Sequence, residues 1–161
     1  MIILGIDPGL RVCGYAIVRK NFSENKMIEA GTFRTETNMP IEFRLNQIAG
    51  DIEDILKKYN PQFVAVEQLY SHYAHPRTSI LMGHARGVIL QKCAELQIEV
   101  KSFSATRIKK SMTGNGRATK IQMQRTVQTV LGLAQMPEPA DIADAIAVAM
   151  CCADSMRVCL K

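Results

Sequence analysis

Near its beginning the chain carries Ile2-Ile3-Leu4-Gly5-Ile6-Asp7-Pro8-Gly9, a short apolar run that closes on a carboxylate and a turn pair. Apolar and β-branched residues over this length predict a buried central strand, and Pro8-Gly9 predicts the turn that stops it. The predicted strand therefore ends at Asp7. An Asp before Pro-Gly is also an ordinary turn residue, so a purely structural role for Asp7 stays open at this point.

The segments that follow predict a meander and then helices that alternate with strands. Residues 12–19 and 27–35 predict two further strands, joined by a polar loop. Residues 40–58 predict an amphipathic helix, and residues 62–67 predict a fourth strand that ends at Glu67. In the helix, the predicted core positions are Leu45, Ile48, Ile52, Ile55 and Leu56, whereas Glu42, Arg44, Glu53 and Lys57 are placed on the other side.

The second half of the chain predicts one more strand and four helices. The strand covers residues 98–103, and the helices cover residues 77–96, 105–112, 118–132 and 140–157. Helices between strands act as crossovers that connect parallel neighbours. We therefore predict an α/β fold, with a mixed five-stranded sheet flanked by helices, in a single domain over residues 1–161.

Composition and charge limit the function classes without choosing one. The 161 residues include 20 Lys and Arg against 15 Asp and Glu, a formal net charge of +5. This balance favours a polyanionic partner, although a generic basic surface gives the same value. No stretch approaches the roughly 20 apolar residues of a membrane span, and Asp7 comes too early for a signal peptide. We expect a cytoplasmic protein.

The cysteines indicate neither a disulfide framework nor a zinc site. Their number is odd and no C-x-x-C pair occurs. We expect reduced and mostly buried thiols at Cys13, Cys93, Cys151, Cys152 and Cys159.

Four carboxylates fall where the predicted fold would bring them together. Asp7 and Glu67 each close a strand, and ligands usually bind outside the carboxyl ends of parallel strands. Asp141 and Asp144 are three residues apart on a predicted helix, so they share one face of that helix. Residues 140–149 are otherwise small and apolar, a composition typical of a helix packed tightly onto a sheet.

These acids have separate structural explanations and one common functional explanation. Asp141, two residues after Pro139, also suits the first turn of a helix, where the dipole favours an acid. Glu67 and Asp144 interrupt apolar segments without a sequence-local partner, and an unpaired buried carboxylate is costly. Mg²⁺ or Mn²⁺ would remove that cost, and two ions about 3.5 to 4 Å apart promote phosphodiester hydrolysis. We predict a two-metal site on Asp7, Glu67, Asp141 and Asp144.

Five stretches of the sequence together resemble the RuvC family of bacterial Holliday-junction resolvases, the crossover junction endodeoxyribonucleases. The likeness runs nearly end to end, with the motifs in the family's order. The stretches are Ile3-Leu4-Gly5-Ile6-Asp7-Pro8-Gly9, Glu67-Gln68, Gly83-His84-Ala85-Arg86-Gly87, Gly114-Asn115-Gly116-Arg117-Ala118-Thr119-Lys120-Ile121-Gln122 and Ala140-Asp141-Ile142-Ala143-Asp144-Ala145-Ile146-Ala147.

The resemblance implies a ribonuclease-H-like fold and a homodimer that places paired, symmetric, Mg²⁺-dependent nicks in a four-way DNA junction during homologous recombination and repair. Asp7, Glu67, Asp141 and Asp144 fall on the family's catalytic positions. Mn²⁺ is the expected substitute for Mg²⁺, and the branch-migration complex RuvA/RuvB is the partner that family membership implies.

Two lysines match basic residues of the family that are important for catalysis or DNA contact, namely Lys109 and Lys120. Most basic side chains on amphipathic helices belong only to a solvated face, which is the alternative explanation. On the predicted helix 118–132, the core stripe is Met123, Val127, Val130 and Leu131, and Lys120 shares another side with Gln124 and Gln128. From there Lys120 would reach a phosphate.

Further DNA-binding candidates are Tyr70, Arg77 and Arg117. Tyr70 stands where the relatives often carry Phe, and its ring can still stack on an unpaired base. Half-buried packing would explain Tyr70 equally. Arg77 ends a polar, aromatic and basic segment after Glu67, of the kind that faces DNA. His72 and His75 in that segment are not expected to bind metal.

Gly83 and Gly87 lie one turn apart on the predicted helix 77–96, which the family uses around its dimer contact. Small residues at this spacing allow two helices to approach closely, although the same glycines could instead ease packing on the sheet. A two-fold symmetric enzyme would offer two equivalent sites to a nearly two-fold symmetric junction.

Three other functions compete with the resolvase hypothesis. A related family acts in ribosomal RNA maturation, but it generally has a different glutamate motif. An actin-like nucleotide-binding domain could carry the early Asp-Pro-Gly, yet it needs a second large lobe that 161 residues cannot supply. A catalytically silent junction-binding protein has no need for four converging acids, which without metals would repel DNA.

Overall fold

The computed structural model describes residues 1–22, 24–69 and 76–156. Five strands and five helices make up the described part. The strands are β1 (Ile2–Asp7), β2 (Val12–Lys20), β3 (Asn25–Arg34), β4 (Phe63–Glu67) and β5 (Glu99–Phe103). The helices are α1 (Ile41–Tyr59), α2 (Pro76–Glu95), α3 (Ala105–Thr113), α4 (Lys120–Leu131) and α5 (Ala140–Ser155).

The strands form one mixed sheet in the order β3-β2-β1-β4-β5. β1, β2 and β3 are antiparallel neighbours, as expected of a meander, whereas β4 runs parallel to β1 and β5 runs parallel to β4. The two parallel pairings follow the crossover helices α1 and α2. The predicted α/β class with a mixed five-stranded sheet is confirmed, and β1 is central.

Alternation along the strands divides the core into two layers. Ile3 of β1 and Ala65 of β4 face a cluster that is formed with α3, α4 and α5. Leu4 and Ile6 of β1 face the other cluster, which is formed with α1 and α2. Because side chains alternate across a strand, Asp7 belongs to the same face as Ile3 and therefore to the side covered by α5.

Helix α5 approaches the sheet so closely that only glycine fits beneath it. A Cβ built on Gly5 of β1 would stand 2.7 Å from the Cβ of Ala149 and closer still to the carbonyl oxygen of Ala145. A Cβ built on Gly14 of β2 would stand 2.7 Å from the backbone carbonyl carbon of Asp141. The small alanine side chains of α5 and the two strand glycines thus together allow this close contact.

Two sequence-based interpretations are wrong. Arg44 is buried, not solvated, because its guanidinium donates to the Thr35 side chain and to the Leu10 carbonyl oxygen. Val130 is 53% exposed, because Leu131 and Leu133 cover the core at the end of α4.

The structure also excludes one of the two explanations of Gly83 and Gly87. Both are exposed, and a Cβ added to either would meet no atom within 4 Å. They therefore do not ease the packing of α2 on the sheet.

The described residues contain no helix with the length and apolarity that a membrane crossing requires. Four of the five cysteines, Cys13, Cys93, Cys151 and Cys152, are free and buried, as predicted. Cys159 lies outside the described residues.

The substitution Gly5→Ala is expected to lower the free energy of unfolding by about 3 kcal/mol, because its Cβ collides with backbone atoms of α5 that cannot move aside. Urea denaturation measures the change. The control is Gly50→Ala in α1, where the added Cβ has open space and should stabilise the helix by roughly 0.5 to 1 kcal/mol. Equal effects of the two substitutions would contradict the close contact.

Candidate active site

Asp7 and Glu67 lie side by side at the ends of two parallel strands. The register pairs Gly5 with Ala65 and Ile6 with Val66, so the next residues, Asp7 and Glu67, stand on neighbouring strands about 4.8 Å apart. Both follow the face that α5 covers, since Gly5 and Ala65 precede them by two residues. Each acid is the last residue of a mostly buried strand and therefore lies at the carboxyl edge of the sheet.

The N-terminal part of α5 adds two more acids to this edge. Asp7 is the sheet partner of Gly14, and Gly14 lies under the backbone of Asp141. The start of α5 is therefore next to Asp7. Asp144 follows Asp141 by three residues and lies on the same helix face. The neighbouring residues Ala143 and Ala145 are buried in the core.

All four carboxylates line a single cavity of about 660 Å³. Its lining also includes two lysines, Lys109 from α3 and Lys120 from α4. Apolar parts of the wall come from α2, α3 and α4, with Leu81, Met82, Ile108 and Met123, and from Leu10 and Val12 near the start of β2. The structure thus brings together every acid and both lysines that the sequence singled out.

The acids share the cavity without forming a closed ligand cluster. In the described ranges, no three His, Cys, Asp or Glu side chains are close enough to hold one metal ion among them. Mg²⁺ commonly takes one or two carboxylates and completes its shell with waters and substrate phosphates. An all-oxygen, acidic and open site of this kind suits that mode of binding.

Burial and the neighbouring acids together perturb the carboxyl of Asp7 strongly. The pKa of its carboxyl is raised from 3.8 to about 7, first by burial and then by repulsion from Asp144, Glu67 and Asp141, against a smaller lowering by Lys120. Cationic compensation inside the cavity is therefore incomplete. A bound divalent cation would reverse the balance, since it favours the ionised carboxylate.

Burial also raises the pKa of Glu67 and of Asp144. Asp144 adds to the increase at Glu67, while Lys109 and Lys120 act against it at both acids. The two lysines are thus close enough to act electrostatically on the carboxylates. They belong to the site and not only to a solvated helix face.

An arginine that the sequence assigned no role fixes the backbone beneath Glu67. Arg86 of α2 donates from Nε to the Glu67 carbonyl oxygen at 3.3 Å and from Nη2 to Ser102 Oγ at 2.9 Å. It therefore ties the ends of β4 and β5 together. The only signal in the sequence was its place in the Gly-His-Ala-Arg-Gly stretch.

Other predicted residues lie outside the cavity. Arg77 and Arg117 are exposed and are absent from its lining. Tyr70, His72 and His75 fall outside the described residues. Conversely, the cavity includes residues that the sequence did not suggest, namely Arg11, Thr37 and Arg44.

A central strand, its parallel neighbour and an overlying helix that together present four carboxylates define a nuclease domain of the ribonuclease-H-like class. Residues 3–152 match the family described as crossover junction endodeoxyribonuclease RuvC. The chain belongs to that family.

Individual relatives cover almost the whole chain. The RuvC of Rhodopirellula baltica is 44% identical over 92% of this chain and 84% of its own length. The RuvC of Desulforamulus reducens is 40% identical over 94% of this chain and 92% of its own length. Thermus thermophilus RuvC, solved in complex with Holliday junction substrate, has a TM-score of 0.90 and 27% identity, covering 98% of this chain and 96% of that chain.

The pKa of Asp7 predicts how pH changes the stability of the metal-free protein. The folded state holds the Asp7 proton up to about pH 7 and the unfolded state only to about pH 4, so this contribution falls as pH rises between the two values. Asp7→Asn removes it. In EDTA, the free energy of unfolding of the variant should exceed that of the wild type by a margin that grows between pH 5 and pH 8, to a few kcal/mol.

Asp54→Asn provides the control, because Asp54 is an exposed acid of α1 away from the cavity. Thermal and urea unfolding at both pH values give the comparison. A margin for Asp7→Asn that stays constant with pH would contradict the electrostatic origin of the effect.

Proposed function

We propose that this chain is a metal-dependent endonuclease that resolves four-way DNA junctions by hydrolysis of phosphodiester bonds. The observation that carries the proposal is the convergence of four carboxylates and two lysines in one cavity of a RuvC-family chain. The biological setting would be homologous recombination and DNA repair in the cytoplasm, with residues 1–161 acting as one nuclease domain.

Asp7, Glu67, Asp141 and Asp144 would hold two Mg²⁺ ions, with Mn²⁺ as a substitute. The donor set fits, since it contains only oxygen. The pKa of Asp7 is raised by burial and by the neighbouring acids, and Lys120 offsets only part of this increase. When bound, such ions stabilise the attacking and leaving oxygens of an in-line phosphoryl displacement. Mg²⁺ held by one or two of these carboxylates would complete its shell with waters and phosphate oxygens.

Lys120 and Lys109 would act on the phosphate itself. Both project into the cavity and interact electrostatically with Glu67 and Asp144. Lys120 also acts on Asp7. A lysine so placed can bind a nonbridging phosphate oxygen and stabilise the charge that develops on it in the transition state. We assign Lys120 to catalysis and DNA binding, and Lys109 to DNA binding.

Contacts beyond the cavity would select the junction. The acids explain hydrolysis but have no preference for a four-way structure. Arg77 and Arg117 are exposed outside the cavity and would bind phosphates of the arms, while Tyr70 would stack on an unpaired base. The branch-migration complex RuvA/RuvB is the partner implied by family membership.

Two copies of the chain would pair through the outer face of α2. Ile80, Gly83 and Gly87 follow the i, i+3, i+7 spacing of one helix face, with Ile80 61% exposed and open space above both glycines. Exposed glycines allow a second helix to approach the backbone closely. The resulting two-fold axis would present two cavities to two like strands of a junction.

Cleavage of a synthetic four-way junction in Mg²⁺ tests the function directly. The wild-type chain should cut the junction far faster than a linear duplex of the same sequence, and EDTA should abolish cutting. Asp7→Asn should reduce cutting to background while junction binding survives, because the amide is a poor metal ligand and the fold is retained. Lys120→Ala should still bind metal but turn over at least about tenfold more slowly.

Lys26→Ala supplies the matched lysine control, because Lys26 is exposed on β3 and is not part of the cavity lining. Its cleavage rate should equal that of the wild type. Full activity of Asp7→Asn would refute the acidic site, and equal rates on junction and duplex would indicate a general nuclease.

The dimer is tested by Gly87→Arg, whose side chain would fill the space proposed for the partner helix. Sedimentation velocity should report a dimer for the wild type and a monomer for this variant. Gly50→Arg on α1 is the control, since Gly50 is also an exposed helix glycine with open space above it. A monomeric wild type, or a variant that stays dimeric, would rule out this interface.

A further inference from the structure

The acidic cavity continues into a second groove at the end of the β2–β3 hairpin. This groove has a volume of about 530 Å³ and is lined by residues 34–38 with Arg11 and Val12. Arg11, Val12 and Thr37 also line the acidic cavity, so the two depressions are continuous. A strand bound at the acids can therefore extend along the groove without crossing a ridge.

Two arginines give the groove its positive charge. Arg11 and Arg34 are exposed, and neither forms an ion pair with an acid of the described residues. Val12 is the sheet partner of Arg34, so the two arginines come from adjacent positions on neighbouring strands. Glu36 lies in the same lining and only partly offsets them.

A buried arginine supports this pair from below. Arg44 of α1 is 9% exposed, and its Nε donates to Thr35 Oγ1 at 3.0 Å while its Nη2 donates to the Leu10 carbonyl oxygen at 3.3 Å. These acceptors are the immediate chain neighbours of Arg34 and Arg11. The Thr35 amide donates in turn to the Arg11 carbonyl oxygen at 3.2 Å. Arg44 thus holds together the two segments that present the exposed arginines.

The charge of Arg44 is not neutralised within the described part of the chain. Both of its acceptors are uncharged, and it takes part in no ion pair there. Burial of a cation is costly unless an anion lies near it. Its side chain lines the acidic cavity, where a phosphate would supply such an anion.

We propose that Arg11 and Arg34 form a phosphodiester-binding subsite, with Arg44 as the positioning residue beneath them, which holds the DNA strand beyond the phosphate that is cut. The subsite rests on the proposed junction-cleaving function, because its ligand is a continuation of the same strand. In sheet order, β2 and β3 flank β1 on the side away from β4 and β5, so this subsite lies on the side of Asp7 away from Glu67.

The sheet register fixes how far the subsite is from the acids. Gly14 is the partner of Asp7, and Arg11 lies three residues from Gly14, which corresponds to roughly 10 Å along the strand. Phosphates of one DNA strand are spaced by about 3.4 Å along a duplex axis. The phosphate held by Arg11 and Arg34 is therefore within about three nucleotides of the cut.

The experiment removes the two charges without touching the acidic site or the buried arginine. In the Asp7→Asn chain, which should bind junctions without cutting them, Arg11→Gln and Arg34→Gln are combined and junction affinity is measured by fluorescence anisotropy over a range of salt. Affinity should fall at least about tenfold near 0.1 M salt, and the slope of log affinity against log salt should decrease by about 1.8, as expected for two lost phosphate contacts.

A matched control comes from the opposite end of the same hairpin. Arg19 and Lys26 are exposed sheet partners on β2 and β3, so Arg19→Gln with Lys26→Gln removes the same charge from the same element. Affinity and salt slope should then equal those of the parent. Glu36→Gln should shift affinity in the opposite direction and tighten binding.

A neutral phosphate locates the contact on the DNA. Junctions that carry a single methylphosphonate at successive positions near the cut should bind the parent more weakly at one or two of them. At those positions the Arg11→Gln, Arg34→Gln variant should show no further loss, because the contact is already absent.

The outcomes separate the subsite from the function on which it rests. A parent that fails to bind junctions overturns both. A parent that binds, with a double variant that matches the Arg19 and Lys26 control in affinity and salt slope, overturns the subsite alone.

Discussion

The contact between α5 and the sheet is the constraint on which the rest of the structure depends. Gly5 and Gly14 remove the side chains that would hold the helix away, and small residues of α5 occupy the space that results. Because α5 lies against the strand backbone, its first turn reaches the edge of the sheet where β1 and β4 end. A helix packed at the usual distance on larger side chains would carry Asp141 and Asp144 away from Asp7 and Glu67.

The same contact creates an electrostatic problem that the protein solves only in part. Four acids enter a partly buried cavity in which Lys109 and Lys120 are the nearest cations that act on them. Burial and repulsion from the neighbouring acids raise the pKa of Asp7 to about 7. Without metal, the Asp7 carboxyl therefore keeps its proton to a higher pH than an exposed aspartate does. The clustered acids destabilise the metal-free folded protein at this site but would favour cation binding. Such local destabilisation is common where function requires concentrated charge.

Strand-end geometry and helical spacing made much of this site predictable. Asp7 and Glu67 each end an apolar run, and Asp141 and Asp144 share a helix face, so the sequence alone predicts four acids at one edge of the sheet. Element bounds agreed within about two residues, which is the usual uncertainty at helix and strand ends.

The misses have physical causes that a local pattern does not contain. Helical periodicity predicts a solvated position for the long basic side chain of Arg44. Its acceptors, the Leu10 carbonyl and the Thr35 hydroxyl, come from distant turns of the chain and are therefore absent from the local pattern. Val130 has the correct spacing for a core position, but residues after the helix end cover that part of the core in its place. Both errors arise where tertiary contacts override a pattern read from one element.

The distribution of charge across the cavity also constrains how substrate and metal bind. Acids at the centre repel a phosphate, whereas the lysines of α3 and α4 on one side and the arginines of the β2–β3 end on the other attract it. Cations bound at the acids would remove the central repulsion, and a bound phosphate would in turn supply oxygen ligands to those cations. Each ligand therefore raises the affinity of the other by the same factor, since coupling between binding free energies is reciprocal. A bound cation would therefore strengthen strand binding at the acids, while the surrounding lysines and arginines would hold the DNA in its absence.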